Sequence, residues 1–115
     1  MRMWMTNSKG MCRQHLLGEH LETHMFIGHL RKKRGIDGYI RENCIEMLSI
    51  YDRHKELAEE LIRRGYRHNS PLELEDTVCV YYYDQWQRDV KVDKEIALNE
   101  LIARCPKCNE RYKHF

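Results

Sequence analysis

The sequence predicts a mainly α fold: one compact domain over residues 1–115, with about three helices, an extended N-terminal segment and at most a short hairpin. Three observations lead there. Apolar residues recur at three- and four-residue steps in three separate windows, breaks rich in Gly, Ser, Pro or Asn separate those windows, and a single run has strand character. A chain of 115 residues suits one domain and can bury a core without disulfide staples.

Residues 1–10 read as extended, because Asn7, Ser8 and Gly10 interrupt any helix. From Met11 to about Lys33 the pattern is helical, with Leu17, Leu21, Phe26 and Leu30, joined by Met25, as the expected apolar stripe. Gly18 and Gly28 each cost this helix about 1 kcal/mol relative to Ala, and they mark places where something can pack or bind close to the backbone. "GIDG" at 35–38 is a break. A second helix is expected over Ser49–Arg64, with Ile50, Leu57, Leu61 and Ile62 inward and Gly65 as its stop. "HNSPLE" at 68–73 is a loop. "TVCVYYY" at 77–83 reads as a strand or hairpin arm, from its β-branched and aromatic residues. A third helix is expected over Asp93–Arg104 with Asp93 as N-cap. No repeat or low-complexity segment is present.

With 42% hydrophobic and 33% charged residues, the composition is that of an ordinary globular protein. No apolar run reaches the length of a membrane span, and the start has no continuous apolar region of the signal-peptide kind, so a cytoplasmic protein without membrane association is expected. Five cysteines without framework spacing agree with a reducing compartment. The net charge of +2 does not point to nucleic acid. The local clusters "RKKR" at 31–34, "RRGYRH" at 63–68 and "KCNERYKH" at 107–114 say more.

The stretch "QHLLGEHLETH" at 14–24 concentrates the chemistry. His20 and His24 are four apart and can face one ion. "HLETH" nevertheless places its acid third, whereas the zinc-protease motif needs it second, so a solvated face is the plainer reading. At about 100° per residue, His15, Glu19 and Glu22 share a direction, with Gln14 at its edge. Such a face can hold a sugar or a water, or be plain surface. The terminus adds a second feature. An α-amine, with an ordinary pKa of about 7.7–8.0, is a usable nucleophile near neutral pH. Beside a carboxylate it can attack C1′ of a nucleotide and form an imine.

Four stretches in order, "MRMW" at 1–4, "QHLLGEHLETHM" at 14–25, "IYDRHKELAEELIRRGYRHNSPL" at 50–72 and "ARCPKC" at 103–108, resemble the pyrimidine-dimer DNA glycosylases of phages and bacteria. The resemblance implies a single, mostly helical domain with N-glycosylase and AP lyase steps and no cofactor. Its substrate would be damaged duplex DNA, bound by a monomer. The implied nucleophile is the Met1 amine and the implied catalytic acid is Glu22, with Arg2, Gln14 and His15 near the damaged strand. Flipping a nucleotide out of a kinked duplex needs phosphate contact, for which Arg31, Lys32, Lys33, Arg34, Arg63 and Arg64 are the candidates. The chain departs from phage members in three respects, the first being that "CPKCNERYK" at 105–113 stands in place of their aromatic-rich, DNA-contacting C-terminal loop. Arg2 is too bulky for removal of the initiator, so Met1 itself must supply the amine. Leu21 and Met25 stand where arginines flank the glutamate.

Two alternatives accompany this reading. One keeps the imine chemistry but takes abasic sites or another modified base. The other is a non-catalytic, zinc-stabilised DNA-binding module. Cys105 and Cys108 in "CPKC" are half of a zinc site, which would need two more ligands from Cys12, Cys44, Cys79 or His114, none at a telling spacing. "YYYDQW" at 81–86 is either a half-buried strand or a base-stacking surface.

Overall fold

A computed structural model describes all 115 residues. Six α-helices carry the fold: α1 (Arg13–Arg31), α2 (Asp37–Arg41), α3 (Ile50–Arg63), α4 (Gln85–Arg88), α5 (Lys94–Arg104) and α6 (Pro106–Lys113). Three 3-10 segments join them, at Ser8–Gly10, Met47–Ser49 and Leu74–Tyr82. No strand forms, so the mainly α expectation holds.

Each of the three expected helices is present with local reasons for its ends. The Cys12 side chain accepts the His15 N–H at the start of α1, and Asp93 accepts from Glu95 and Ile96 at the start of α5. Gly65 ends α3 at φ +90°, a conformation costly for any residue with a Cβ. The C-terminal tail, left unassigned by sequence, forms α6 with Pro106 in its first turn and Cys105 as its cap.

The expected strand at 77–83 is instead the 3-10 segment Leu74–Tyr82. Residues with high β-propensity need a neighbouring strand to pair their backbone groups, and this chain offers none. The segment satisfies itself locally. Asp76 accepts the Glu73 N–H in a capping box, and the Thr77 hydroxyl donates to the Leu74 carbonyl. Cys79 and Val80 point inward, while Tyr81, Tyr82 and Trp86 remain exposed.

The stripe expected on α1 is also displaced. Leu17, Leu21 and Met25 are exposed, and the buried face is Leu16, Glu19, Thr23, Phe26, Ile27 and Leu30. On α3, Ile50, Leu57 and Leu61 are buried as expected, but Ile62 is exposed and Arg53 is fully buried. The cause is an ion pair at the centre of the α1–α3 packing. Arg53 Nε donates to Glu19 at 2.6 Å and Arg53 Nη2 at 2.9 Å, with both side chains at 1% exposure or less. Hydrophobic periodicity alone cannot register an inward-facing charge pair, so it assigns the neighbouring leucines to the core.

Two apolar clusters flank this pair. One gathers Met3, Phe26, Leu30, Ile36, Ile45 and Ile50 among others. The other gathers Trp4, Met11, Leu16, Leu57, Leu61 and Leu101. The N-terminal segment runs between them, with Met3 in the first, Trp4 in the second and Met5 touching both. Arg53 reaches this segment as well, through Nη1 to the Thr6 carbonyl at 2.7 Å.

Removing one partner of a buried pair leaves the other charge uncompensated, at a cost of about 3–5 kcal/mol. Glu19→Ala is therefore expected to lower the unfolding free energy by about that much in urea titration. A loss below about 1 kcal/mol, the range of exposed pairs, would contradict this role for the pair.

Candidate active site

The N-terminal segment is fixed before α1 begins. Met3 N–H donates to the Cys44 carbonyl at 2.7 Å. Arg2 is buried, donates to Glu100 at 2.5 Å and to the Asn43 carbonyl at 3.4 Å, and lies 3.8 Å over the Trp4 ring. Arg104 approaches the same ring at 5.6 Å, and His15 meets it edge-on at 5.9 Å. These contacts hold Met1 at the rim of a cavity of about 520 Å³.

The cavity is lined by Met1, Arg2, Trp4, Gln14, His15, Gly18, Glu19, Glu22, Glu42, Cys44, Glu100 and Arg104. It thus brings together five residues singled out in the sequence: Met1, Arg2, Gln14, His15 and Glu22. No lysine is among the lining residues, so the α-amine of Met1 is the cavity's only amine. Glu22 is half-buried, and burial pushes its carboxyl above the ordinary range. The Arg2 backbone N–H, the Met1 ammonium and the Arg2 guanidinium pull it back, while Glu19 adds to the rise. Of the other acids, Glu19 is committed to Arg53 and Glu100 to Arg2. Burial and Arg104 lower the His15 pKa, favouring the neutral ring. Burial raises the Cys44 thiol, which keeps it protonated and a poor nucleophile. Arg2 Nε is buried without a partner, a donor aimed at nothing in the protein.

Gly18 and Gly28 behave alike. A Cβ at either would meet nothing within 4 Å. No part of the protein packs on them, yet Gly18 lines the main cavity, and Gly28 lines an adjoining groove with Met1, Met25, His29, Lys32, Arg34 and Tyr39. Both glycines thus widen the approach to Met1.

The basic clusters divide by environment. Lys32 and Arg34 border the groove beside Met1. Arg31 pairs with Asp76 at 2.8 Å, and Lys33 lies 5.0 Å over the Tyr82 ring. Arg63 is exposed and bound to Glu60. Arg64 is 11% exposed, bonded to Glu60 and donating to the carbonyls of Ser8, Lys9 and Met11. Trp4, Glu42, Glu100 and Arg104 went unassigned by sequence reasoning. Glu100 and Arg104, one turn apart on α5, reach the site only through the tertiary fold, and no local pattern signals them.

His20 and His24 of the 14–24 stretch face the other way. His20 and His24 of α1 meet His54 of α3 and His68, with Nε2–Nε2 distances of 2.9 Å for His20–His68 and 3.0 Å for His24–His54. His24 and His54 each approach the Ser70 carbonyl at 3.0 Å. This cluster ties α1 to α3 and the 68–70 loop, and the ring nitrogens of His20, His54 and His68 lie within 4.8 Å of one another, close enough to share a metal ion.

Met1, which carries the chain's α-amine, and the carboxylate of Glu22 thus share one polar cavity in a small helical fold. Residues 1–74 match the model of the pyrimidine dimer DNA glycosylase family, and the chain belongs to that family. No curated protein and no solved structure matches it. Membership makes it a DNA repair glycosylase with DNA as substrate. No helix is long and apolar enough to cross a membrane.

The histidine cluster predicts an acid response. Burial and the neighbouring imidazoles lower His20 to about 4 and also lower His54. Both stay neutral in the folded protein while the unfolded chain takes up protons from about 6.5 downward. Stability is therefore present in full above about 6.5 and lost as pH falls toward about 4. Thermal melts across this window should show a falling Tm, and His20→Gln should flatten the fall. An unchanged slope in that variant would contradict the assignment.

Proposed function

We propose that the chain removes a damaged pyrimidine from duplex DNA and then cuts the strand, with the Met1 α-amine as nucleophile and Glu22 as acid–base group. The observation that carries this reading is that Met1, the only lining residue with an amine, shares the cavity with Glu22, a carboxylate whose ionisation the terminal charge influences.

In this reading the amine lone pair forms a bond to C1′ as the glycosidic bond breaks. The bonding electrons leave with the base, which takes up a proton. Glu22, as carboxylate, stabilises the developing sugar cation and accepts a proton from the attacking nitrogen. The C1′–O4′ bond then opens, O4′ takes that proton, and a C1′=N imine remains. Its raised pKa suits Glu22 to both transfers. Loss of a C2′ proton expels the 3′ phosphate by β-elimination, and water hydrolyses the imine to restore the amine.

Arg2, Gln14 and His15 surround the extruded nucleotide, for which the cavity has adequate volume. Arg31, Lys32, Lys33 and Arg34 hold the strand through its phosphates. Arg64 is left out of this grip, because its guanidinium already serves Glu60 and three carbonyls. Arg63 stays a candidate at the periphery. Pyrimidine dimers are the favoured lesion. Leu21 and Met25, exposed on α1 where phage members have arginines, favour abasic sites as the second reading of substrate. Parallel cleavage assays on dimer-containing, abasic and undamaged duplexes decide between them.

Glu22→Gln keeps the side chain's size but removes its charge. Cleavage should fall by about 10²-fold or more, with DNA affinity retained. Cleavage at the parent rate, or its loss in Glu42→Gln instead, would overturn the assignment of Glu22.

A further inference from the structure

Beyond the catalytic cavity, the fold gathers a second set of chemically matched side chains. Cys12, His15, Cys105 and Cys108 place their three sulfurs and one ring nitrogen all within 4.8 Å of one another. We propose that these four residues bind one structural zinc ion, closing the C-terminal helix α6 onto the first turn of α1.

The donor set is the one zinc prefers, three thiolates and an imidazole. Two Zn–S bonds of about 2.3 Å at the tetrahedral angle put their sulfurs about 3.8 Å apart. The Cys12 and Cys105 sulfurs are 3.8 Å apart. A Zn–S and a Zn–N bond separate their atoms by about 3.6 Å, against 3.2 Å between Cys12 Sγ and His15 Nδ1. The sulfurs are too far apart for a disulfide, whose bond is about 2.05 Å.

The surrounding backbone is arranged for thiolates. The Cys12 N–H donates to Cys108 Sγ at 3.2 Å, the His15 N–H to Cys12 Sγ at 3.4 Å, and the Cys108 N–H to Cys105 Sγ at 3.4 Å. Each of the three sulfurs thus accepts a backbone hydrogen bond, which an anionic sulfur takes far better than a neutral thiol. Cys12 caps α1 and Cys105 caps α6, so two helix N-termini converge on the cluster and favour negative charge there. Three buried sulfurs this close together can all ionise only with a cation between them.

The sequence showed only "CPKC" as half a site. Cys12 was one of four candidates for the rest, and His15 was assigned to the DNA pocket. The fold supplies what spacing could not. Cys12-x-x-His15 opens α1, Cys105-x-x-Cys108 opens α6, and they meet across about ninety residues of chain. Only Cys12 and His15 lie within the matched residues 1–74. The site also reaches the catalytic cavity. A metal on His15 Nδ1 fixes the ring proton on Nε2, making that nitrogen a donor on a ring that lines the cavity. α6 in turn holds the N-terminal segment. The Tyr112 hydroxyl donates to the Asn7 carbonyl at 2.6 Å, and its ring occupies the place where a side chain at Gly10 would stand. The metal site stands whether or not the amine chemistry does.

The test is metal analysis of the untagged, full-length protein purified without chelator. The expected result is one zinc per chain, retained in Cys44→Ser and lost in a Cys105→Ser/Cys108→Ser double variant. Cobalt exchanged into the wild type should give the visible spectrum of a tetrahedral thiolate site, and chelation of zinc should lower the Tm. Metal-free wild-type protein, a mass lower by two hydrogens that signals a disulfide, or zinc persisting in the double variant would each overturn the proposal. The last outcome would place the metal on the histidine cluster instead.

Discussion

The buried Arg53–Glu19 pair is the constraint on which the rest of the structure depends. It joins α3 to α1, and its remaining donors reach back to the Thr6 carbonyl and the Met11 sulfur. Two charged groups at 1% exposure or less tolerate little misalignment, because every unmatched donor or acceptor costs its desolvation. The pair therefore sets the register of the two main helices and of the chain entering α1 with a single interaction. Apolar packing, which is non-directional, could not by itself place the first residue of the chain at a chosen carboxylate.

From that register the site follows. Glu19 is directed inward to Arg53, and Glu22, three residues on, faces the cavity. The N-terminal segment is held on both sides, by Met3 and Trp4 in the two apolar clusters and by the contacts of Arg2 with Glu100 and Trp4. An unanchored terminus would sample many positions. Anchoring it lowers the entropic cost of holding the amine at the cavity. The same helix keeps His20 and His24 on its α3 side, so different faces of "QHLLGEHLETH" meet the cavity and α3.

Much of this was legible in the sequence, and the failures have physical causes. The three long helices, Asp93 as a cap and Gly65 as a stop follow from local rules, since caps and terminators act within one turn. The inward face of α1 was misread because its centre is Glu19 rather than a leucine. Residues 77–83 were misread because strand propensity is realised only beside a partner strand. Met1, Arg2, Gln14, His15 and Glu22, singled out through the family resemblance, line one cavity. Glu100 and Arg104 come from α5 by tertiary packing, so no spacing announces them. Cys12 and Cys105 are separated in the same way.

The amine of Met1, and not a side-chain amine, is the proposed nucleophile at the sugar. Lys32 is the nearest rival, since it borders the groove that Met1 also lines. Borohydride reduction during reaction with abasic duplex converts the imine into a stable secondary amine, and peptide mapping of the protein–DNA adduct then locates the nitrogen. The account predicts an adduct on Met1, absent when the terminal amine is acetylated. An adduct on Lys32 or another lysine, or full cleavage by the acetylated protein, would contradict it.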